Sequence, residues 1–427
     1  MSTVPLKERK LYIPRMSYEA AACMAAAFRA IGVDAEVSPE GDDYTYELAR
    51  RYLSGDECLP EAVTLGNFLK IAERADYVPE KTAFMLPTSN GPCRYGHYLP
   101  LAKKVFHQIR GEDVLFVSPT SSDGYAGIGD EATNLVRTGW RAAIAADILR
   151  KLLLKTRPYE TETGMTDAVF HRCLKMLCEA IEPRGLTSKE RIAHIQKALQ
   201  KTREAFRKIP VTKSRSKVVI GVVGEIFCRH NNFSNNNLFR LIEKYDGVVW
   251  VSDIAEWVLY TNDEEVWRLK RYGKTISLDM LGAKLRHTVM RRDEHKLLKY
   301  FVEDFKDFPE PHHVSEILEL SRPYLPREGS RGEMVMSMGK TLWYHRHGAA
   351  GVIDISPFTC MNGIITEAVY PRVSRDLDDF PIRVFYFDGV NKDVEGDLEI
   401  FMELARSYRD SNAKAHAKSR RRKGSQR

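Results

Sequence analysis

Short apolar runs, each followed by a stretch with helical spacing, constrain the fold of this chain most strongly. Residues 11–13 and 35–37 are predicted strands, and the alanine-rich residues 18–31 between them are a predicted helix. The same alternation returns over residues 82–117 and again from Val218 onwards. Strand, helix and strand in succession form the unit from which parallel sheets with covering helices are built. The sequence therefore predicts an α/β protein with two lobes.

The predicted organisation of the 427 residues has four parts. A first α/β lobe takes residues 1–160, and a second takes residues 213–411. Between them, residues 161–212 have helical spacing and are predicted to form a helical connection, with a break near Pro183. Residues 412–427 form a tail. A chain of this length suits two or three domains that each bury a core of their own.

The formal net charge of +7 comes from the C-terminal tail. Residues 412–427 hold seven Lys and Arg residues, no acidic residue and no apolar residue larger than alanine. The tail is therefore predicted to be disordered, and residues 1–411 carry no formal net charge. Two interpretations of the tail remain open: a solvated segment, or a contact with RNA or membrane phosphates. The charge of the folded part gives no indication of nucleic-acid binding.

The composition also bears on the compartment in which the chain acts. Hydrophobic residues make up 43% of it, as in ordinary soluble proteins. Its apolar runs are far shorter than the roughly 20 residues that a membrane-spanning helix needs. The first seven residues lack the apolar stretch of a signal peptide. We therefore expect a cytoplasmic protein that makes no use of a membrane.

Three of the seven cysteines lie in loops that contain Pro or Gly and that come directly before a predicted helix. In an open parallel sheet such junctions meet at the carboxyl ends of the strands, where ligands bind. The positive end of a helix also favours an anionic thiolate and is expected to lower the pKa of the thiol. The three are Cys58, Cys93 and Cys360.

The other four cysteines have different surroundings in the sequence. Cys23 lies inside the alanine-rich helix and is predicted to be a core residue. Cys173 and Cys178 lie five residues apart on a helix and are predicted to be core or helix-face residues, with a metal-binding pair as the alternative. Cys228 lies in a predicted polar loop, residues 224–235, that follows a strand.

The spacing of the cysteines leaves their chemistry open. The sequence contains no C-x-x-C pair, the spacing on which most zinc sites are built. Thiolates from separate loops are compatible with an iron–sulfur cluster, because soft sulfur ligands suit it and need not be adjacent in sequence. The alternative is that these cysteines are small buried residues at tight turns. In a reducing compartment a framework of disulfides is not expected.

Five segments of the sequence together resemble one protein family. It is the family associated with 2-hydroxyglutaryl-CoA dehydratase activases. That family is related to the iron–sulfur subunits of 2-hydroxyacyl-CoA dehydratases, to benzoyl-CoA reductase subunits and to double-cubane cluster proteins. The segments occur in the family's order. They are GDECLP (55–60), SNGPCRYG (89–96), RPYE (157–160), GEIFCRHNNFSN (224–235) and SPFTCMNGIITEA (356–368).

The resemblance implies both a fold and a cofactor. The fold is two Rossmann-like (flavodoxin-like) lobes with a helical connection. The cofactor is a 4Fe–4S cluster or a double-cubane 8Fe–9S cluster held by cysteines between the lobes. Cys58, Cys93 and Cys360 match ligand motifs, and Cys228 is a fourth candidate. Without Cys228 one iron is left open for substrate, water or a sulfide bridge, whereas with Cys228 the closed cluster suits electron transfer.

Several residues beside these cysteines are expected to contact the cofactor. Such side chains tune a cluster through hydrogen bonds to sulfur, or they hold an anionic substrate. The alternative for each is a loop-surface residue without such a contact. The expected cofactor-binding residues are Arg94, Tyr95, His97 and Asn362, and Arg229, His230 and Asn231 are further candidates.

The resemblance also implies a partner that hydrolyses ATP and supplies electrons, an activase. The sequence contains neither a Walker A loop nor the DxGST-type phosphate loop of the sugar-kinase and actin ATPases. The activase is therefore expected on another chain. An acyl-CoA thioester or another small molecule is the expected substrate, and a homodimer is an open alternative to a site within one chain.

Three functions remain open from the sequence. The first is an iron–sulfur redox component, handled anaerobically, for ATP-driven reduction or 2-hydroxyacyl-CoA dehydration. The second is a non-enzymatic module that bears a cluster or binds the activase. The third is a zinc- or thiol-containing nucleotide-binding α/β protein whose tail binds nucleic acid.

Overall fold

The structure, a computed structural model, describes residues 4–89, 91–110, 114–118, 128–212, 217–330, 332–390 and 393–424. The chain forms two compact units. The first unit contains Met1–Thr156, Glu160–Pro210 and Asp253–Lys306. The second unit contains Arg157–Tyr159, Val211–Ser252 and Asp307–Arg427. Neither unit is therefore continuous in sequence, in contrast to the predicted lobes of residues 1–160 and 213–411.

Each unit is built around a four-stranded sheet in which all neighbouring strands are parallel. Together with the helices, these sheets confirm the predicted α/β fold class with Rossmann-like lobes. The strands are β1 (Lys10–Ile13), β2 (Asp34–Val37), β3 (Thr82–Met85), β4 (Leu115–Val117), β5 (Val218–Gly224), β6 (Gly247–Val251), β7 (Gly351–Pro357) and β8 (Ile382–Phe387).

The α-helices of the described residues cover most of the remaining chain. Those before β5 are α1 (Tyr18–Arg29), α2 (Asp43–Arg50), α3 (Leu59–Ala72), α4 (Tyr95–Arg110), α5 (Ala132–Thr156), α6 (Met165–Ile181) and α7 (Ser188–Arg207). Those after β5 are α8 (Ile226–His230), α9 (Leu238–Lys244), α10 (Ile254–Arg271), α11 (Leu278–Leu298), α12 (Val314–Ser321), α13 (Glu333–Arg346), α14 (Met361–Asp376) and α15 (Val394–Gly424).

The sheet of the first unit has the strand order β2-β1-β3-β4 and separates two apolar cores. Because alternate side chains of a strand point to opposite faces, Leu11 and Ile13 enter one core and Tyr12 enters the other. In the second core the rings of Phe84 and Phe68 stack with centroids 4.3 Å apart. The apolar runs of the sequence therefore form the strands, and helices cover both faces of the sheet.

Helices α6 and α7 belong to the first unit instead of forming a separate connection between the lobes. They pack against each other and against α1 and α5, and Phe170, Leu177 and Ile195 are buried in the same core as the alanines of α1. Pro183 lies between the two helices, where the sequence predicts the break. Helical spacing thus identified both helices, but it does not specify what covers their apolar faces.

Helices α10 and α11 also belong to the first unit, although they follow β5 and β6 in sequence. Asp147 of α5 accepts hydrogen bonds from the backbone N–H groups of Ile254 (3.1 Å) and Ala255 (2.8 Å), which begin α10. Asp293 of α11 is fully buried and accepts a hydrogen bond of 2.7 Å from Arg141. A buried carboxylate is stable only with such partners, so these contacts fix both helices on α5.

The sheet of the second unit has the order β6-β5-β7-β8, and its central strand β7 is buried along its whole length. Burial on both faces is expected for a parallel strand between covering helices. Gly221 in β5 is required by close packing, because a Cβ at this position would lie 2.2 Å from the ring of Tyr344. Trp250 lies against the same ring, with centroids 4.7 Å apart, and belongs to the core of this unit.

The loop predicted at residues 224–235 contains the short helix α8. In the alternation predicted over residues 82–117, the last strand is β4. Helix α15 extends to Gly424 and includes most of the tail predicted to be disordered. Alanine, lysine and arginine have high helix propensity, so this tail can continue an existing helix.

A matched pair of glycines tests the close packing of α2 on α3. Gly66 lies in α3, and an added Cβ would lie 2.0 Å from the carbonyl oxygen of Thr45. We expect Gly66→Ala to lower the free energy of unfolding by roughly 1–3 kcal/mol, because a backbone group must move. Gly282 in α11 has no atom within 4 Å of the equivalent position, so Gly282→Ala should be neutral or slightly stabilising. Denaturant unfolding of both variants is the measurement, and equal stabilities would contradict this account.

Candidate functional site

Cys58 begins helix α3 in the first unit, as predicted. It is the N-cap residue, and Pro60 lies in the first turn, where a missing N–H group costs no hydrogen bond. Only 9% of Cys58 is exposed. Its sulfur lies 2.7 Å from the phenol oxygen of Tyr98, in the first turn of α4. The thiol is therefore held between the starts of two helices.

The parallel sheet explains why these two helix starts are neighbours. Helix α4 follows β3 and so begins at the carboxyl edge of the sheet. Helix α3 ends before β3 begins, so it runs antiparallel to the strand and also starts at that edge. The carboxyl edge is where open parallel sheets bind ligands. Cys58 thus lies at the edge that the sequence predicted.

Cys93 lies in the loop between β3 and α4, and its side chain is exposed. The following residue, Arg94, donates from Nη1 to the carbonyl oxygen of Asp56 at 2.5 Å. The N–H group of Gly96 donates to the carbonyl oxygen of Cys93 at 3.2 Å and leads into α4. The segment that carries Cys93 therefore lies against the segment that carries Cys58.

A buried carboxyl group lies in the first turn of α3, beside Cys58. Glu61 is 2% exposed, and its Oε1 lies 3.1 Å from Nδ1 of His97, which is 57% exposed. Its Oε2 has no hydrogen-bond partner among the described residues. Burial raises the pKa of Glu61 to about 7, although the hydrogen bond and charge of His97 act in the opposite direction. The Glu61 carboxyl group can therefore exchange a proton near neutral pH.

The other expected cofactor-binding residues of this unit face the same helix starts. The ring of Tyr95 makes an edge-to-face contact with the ring of Tyr98, with centroids 5.1 Å apart. Arg94 contacts the segment before α3, and His97 contacts Glu61 within α3. All three residues are thus anchored around Cys58 and Cys93.

In the second unit the strand order changes direction between β5 and β7. From β5 the chain crosses over to β6 on one side, and from β7 it crosses over to β8 on the other. Such a switch point leaves a crevice at the carboxyl ends of the two central strands. Here the ends of β5 and β7 are tightly joined. The N–H group of Glu225 donates to the carbonyl oxygen of Ile355 at 2.8 Å. A Cβ on Gly224 would lie 2.1 Å from that carbonyl oxygen, so the backbones approach closely.

Cys228 lies in helix α8 directly after β5, instead of in an open loop. It is fully buried, and its backbone N–H donates to the Glu225 carboxylate at 2.8 Å. The Cys228 thiol also donates to the Glu225 carboxylate. The prediction missed α8 because this helix is only five residues long, too short for a helical spacing to be recognised. The Glu225 side chain caps it by accepting from two backbone N–H groups.

Cys360 is the N-cap residue of α14 and lies at the end of β7, as predicted. The backbone N–H groups of Asn362 and Gly363 favour its thiolate form. Burial nevertheless raises the pKa of the Cys360 thiol to about 11, and the negative charges of Glu225 and Glu333 add to the effect. The expectation that the helix start would lower the pKa of this thiol is therefore wrong, because burial and two carboxyl groups together outweigh two N–H dipoles.

Three buried or partly buried carboxyl groups lie at this edge of the second sheet. Glu333 of α13 accepts a hydrogen bond from the N–H group of Ile226 at 2.7 Å. Burial raises the pKa of both Glu225 and Glu333, and the negative charge of Glu225 raises the pKa of Glu333 further. Asp354 of β7 accepts from the hydroxyls of Thr366 (3.0 Å) and Tyr370 (2.6 Å), and burial raises its pKa to about 6. The edge therefore holds protons more tightly than exposed carboxylates do.

The further candidates after Cys228 point into the protein. Arg229 is buried, and its Nη1 donates to the carbonyl oxygen of Gly224 at 2.7 Å. Its positive charge favours ionisation of Glu333 and Asp354. Asn231 accepts from the N–H group of Ser234 through its side chain at 2.8 Å. Arg229 and Asn231 thus hold the β5 junction together, and His230 is buried beside Arg229.

Asn362 is the remaining expected cofactor-binding residue, and it connects α14 to α13. Its backbone N–H favours the thiolate form of Cys360, and its side-chain Nδ2 lies 3.5 Å from Oε2 of Glu333. The four predicted metal-ligating residues are divided between the units: Cys58 and Cys93 belong to the first unit, and Cys228 and Cys360 belong to the second.

The cysteines predicted to be core residues lie in the first unit. Cys23 and Cys173 are buried, and Cys178 is partly buried. Cys178 is hydrogen-bonded to Cys23 instead of facing Cys173. The contact of Cys178 with α1 therefore gives no support to the alternative of a metal-binding pair within α6.

Sequence reasoning did not identify the buried acids Glu61, Glu333 and Asp354. A signal was present for Asp354, which is the single acidic residue within the apolar run of β7. Glu61 and Glu333 occupy first turns of helices, where acidic residues are common and favourable on any surface helix. Their burial depends on packing that spacing does not reveal.

Comparisons with known proteins assign neither a family nor a function to this chain. No known protein family and no curated protein matches this chain. Within the part of the chain that the structure describes, no group of three or more His, Cys, Asp or Glu side chains is arranged to hold a metal ion. Among the same residues, every helix is too short or too polar to cross a bilayer.

The titration of Glu61 can be measured through stability. Its pKa rises from 4.5 to about 7 on folding, so the folded state binds the proton more tightly than the unfolded chain does. Its contribution is therefore fully present below about pH 4.5 and is lost as the pH rises through about 7. We expect Glu61→Gln to reduce the loss of unfolding free energy between these pH values by on the order of 2 kcal/mol.

Glu57 provides the control for this measurement. Burial opposes its ionisation, but N–H groups of Ser54 and Gly55 outweigh burial and lower its pKa. Glu57→Gln should therefore not reduce the loss of stability at rising pH. If Glu61→Gln and the wild type show the same pH dependence of denaturant unfolding, the raised pKa of Glu61 is refuted.

Proposed function

We propose that this chain is an iron–sulfur protein that acts in ATP-driven low-potential reduction or in the dehydration of 2-hydroxyacyl-CoA thioesters. The proposal starts from five segments that resemble the activase-associated family in their residues and their order. Four of these segments surround Cys58, Cys93, Cys228 and Cys360. In each unit they lie at helix starts beside the carboxyl edge of a parallel sheet, where this fold class binds ligands.

The observation that carries the proposal is a cysteine at the N-cap of a helix in each unit. Cys58 begins α3 and Cys360 begins α14. The backbone N–H groups of Asn362 and Gly363, at the start of α14, favour the thiolate form of Cys360. Hydrogen bonds from backbone N–H groups to sulfur are a main determinant of the potential of iron–sulfur clusters.

As the resemblance implies, we assign the cluster ligands to Cys58, Cys93 and Cys360. Soft thiolates are the ligands that iron–sulfur clusters prefer. Because the pKa of Cys360 is about 11, this thiol binds as a thiolate only when a cation displaces its proton. Cys228 fits less well, since it is fully buried and its thiol donates to the Glu225 carboxylate. We therefore favour the arrangement in which Cys228 is not a ligand and one iron of the cluster is left open.

When bound, the cluster supplies one-electron transfer at low potential. The negative charges of Glu225 and Glu333 disfavour ionisation of the Cys360 thiol, so both carboxyl groups influence this proposed ligand. Negative charge beside a cluster stabilises its oxidised form, which corresponds to a low potential. Glu61 and Asp354 are carboxyl groups that can hold a proton near neutral pH.

The proposed partners follow from the resemblance. An ATP-hydrolysing activase on another chain delivers the electrons, and an acyl-CoA thioester or another small molecule accepts them. Arg94 and His97 are the exposed or partly exposed polar residues that we assign to the surroundings of the cofactor in the first unit, and Tyr95 shares the same helix start. Asn362 has this role in the second unit through its N–H group.

Iron and sulfide analysis of protein prepared without oxygen tests the proposal. The wild type should be brown, with several irons and sulfides per chain. We expect Cys93→Ser and Cys360→Ser to lose most of the iron, because each removes a thiolate ligand from a helix start. Cys23→Ser should keep the iron, since Cys23 is buried inside α1.

The outcomes separate the proposal from its alternatives. Equal iron content in all three variants would refute the ligand assignment. A colourless protein with one zinc per chain would instead favour a zinc-containing α/β protein. A brown protein without turnover, when supplied with a reductant and an acyl-CoA thioester, would indicate a cluster-bearing module that is not itself an enzyme. Circular dichroism of each variant verifies that the fold is retained.

A further inference from the structure

Helices α1 and α6 of the first unit bring two cysteines together. Cys23 lies in the middle of α1 and is fully buried, whereas Cys178 lies in the last turn of α6 and is partly exposed. Both are free thiols. The two helices lie side by side, from the rings of Tyr18 and His171 with centroids 6.2 Å apart to the ion pair of Arg29 with Glu182 at 2.8 Å, and between these contacts each thiol acts on the pKa of the other. Neither cysteine belongs to the proposed ligand set.

The composition of α1 explains how the two helices come close enough for this contact. Six of its twelve residues are alanine, and small side chains let a neighbouring helix approach. Arg29 of α1 forms an ion pair of 2.8 Å with Glu182, the C-cap residue of α6. Arg184 donates to the carbonyl oxygen of Arg29 at 3.4 Å. The two cysteines are therefore carried by helices that further contacts hold in place.

The surroundings give the two thiols different reactivity. The hydrogen bond from Cys23 lowers the pKa of Cys178, and the Arg29 guanidinium adds to this against the effect of burial. The same hydrogen bond and complete burial raise the pKa of Cys23. Because the thiolate is the nucleophile, Cys178 is the thiol that reacts first, and it is also the one that solvent reaches. Cys23 is in place to react second.

We propose that Cys23 and Cys178 form a redox-active pair that a peroxide converts into a disulfide between α1 and α6. The Cys178 thiolate attacks one oxygen of hydrogen peroxide, the O–O bond breaks, and a sulfenic acid and hydroxide are formed. The Cys23 thiol then attacks the sulfenic sulfur, the S–S bond forms, the S–O bond breaks, and water leaves with the thiol proton. One peroxide is reduced and two thiols are oxidised. A dithiol reductant restores the pair.

Peptide mapping of the full-length chain tests this pair directly. The reduced protein is treated with hydrogen peroxide, remaining thiols are alkylated under denaturing conditions, and the chain is cleaved with trypsin. The expected tryptic peptides, residues 16–29 and 176–184, each contain one cysteine, Cys23 or Cys178. Cys173 falls into a separate peptide, residues 173–175. We expect the linked peptide 16–29/176–184, the loss of two thiols per chain, and reversal by dithiothreitol.

Matched variants make the result specific. Cys173→Ser should retain the linked peptide, because this neighbour on α6 is not part of the pair. Cys23→Ser should accumulate sulfenic or sulfinic acid on Cys178, whereas Cys178→Ser should leave Cys23 reduced. The same treatment in urea should abolish the preference for this one linkage, since the helices no longer hold the thiols together.

Two results would overturn the proposal. One is oxidation of Cys178 in the folded wild type to sulfinic acid without a link to Cys23. The other is the absence of any change at Cys178 at peroxide concentrations that oxidise the exposed Cys93. The linked peptide is identified by mass, so this readout does not depend on whether the chain binds iron. Failure of the iron–sulfur proposal would therefore leave this one standing, and the reverse also holds.

Discussion

Parallel pairing of every strand is the constraint on which the rest of this structure depends. Because all strands of a sheet point the same way, the chain returns through a crossover after each strand, and the helices that follow begin at the carboxyl edge. This places the starts of α3 and α4 together in the first unit. In the second unit it places α8 and α14 beside the joined ends of β5 and β7. Residues far apart in sequence, such as Cys228 and Cys360, thereby share the same acidic neighbour, Glu225.

Both carboxyl edges contain buried acidic groups, but the partners of these groups differ. At the first edge a single buried acid, Glu61, has a histidine partner that reaches solvent. At the second edge Glu333 and Asp354 are buried and Glu225 is partly buried, and the positive charge of Arg229 acts on all three. Grouping carboxyl groups in a medium of low polarity keeps protons on them, because unshared negative charge is costly there. The second edge therefore has the properties of a proton-holding site, whatever occupies it.

The sequence was sufficient for the fold class and for most elements, because the apolar runs and helical spacing are strong local signals. The positions of Cys58 and Cys360 before helices could be predicted for the same reason. Two aspects could not be predicted. The assignment of α6, α7, α10 and α11 to the first unit depends on which surface covers their apolar faces, as with Asp147 and Asp293. The high pKa of Cys360 depends on burial and on the charges of Glu225 and Glu333, which come from other segments and have no signature in sequence.

The interleaving of the chain has a consequence for how this protein is made. The first unit includes Asp253–Lys306, so its last helices leave the ribosome only after β5 and β6 of the second unit have been synthesised. The apolar surface of α5 that α10 and α11 cover must stay exposed, or be shielded by a chaperone, until then. Cutting the gene at any single point would leave fragments with an incomplete core, so the natural piece for expression or transplantation is the entire interleaved chain.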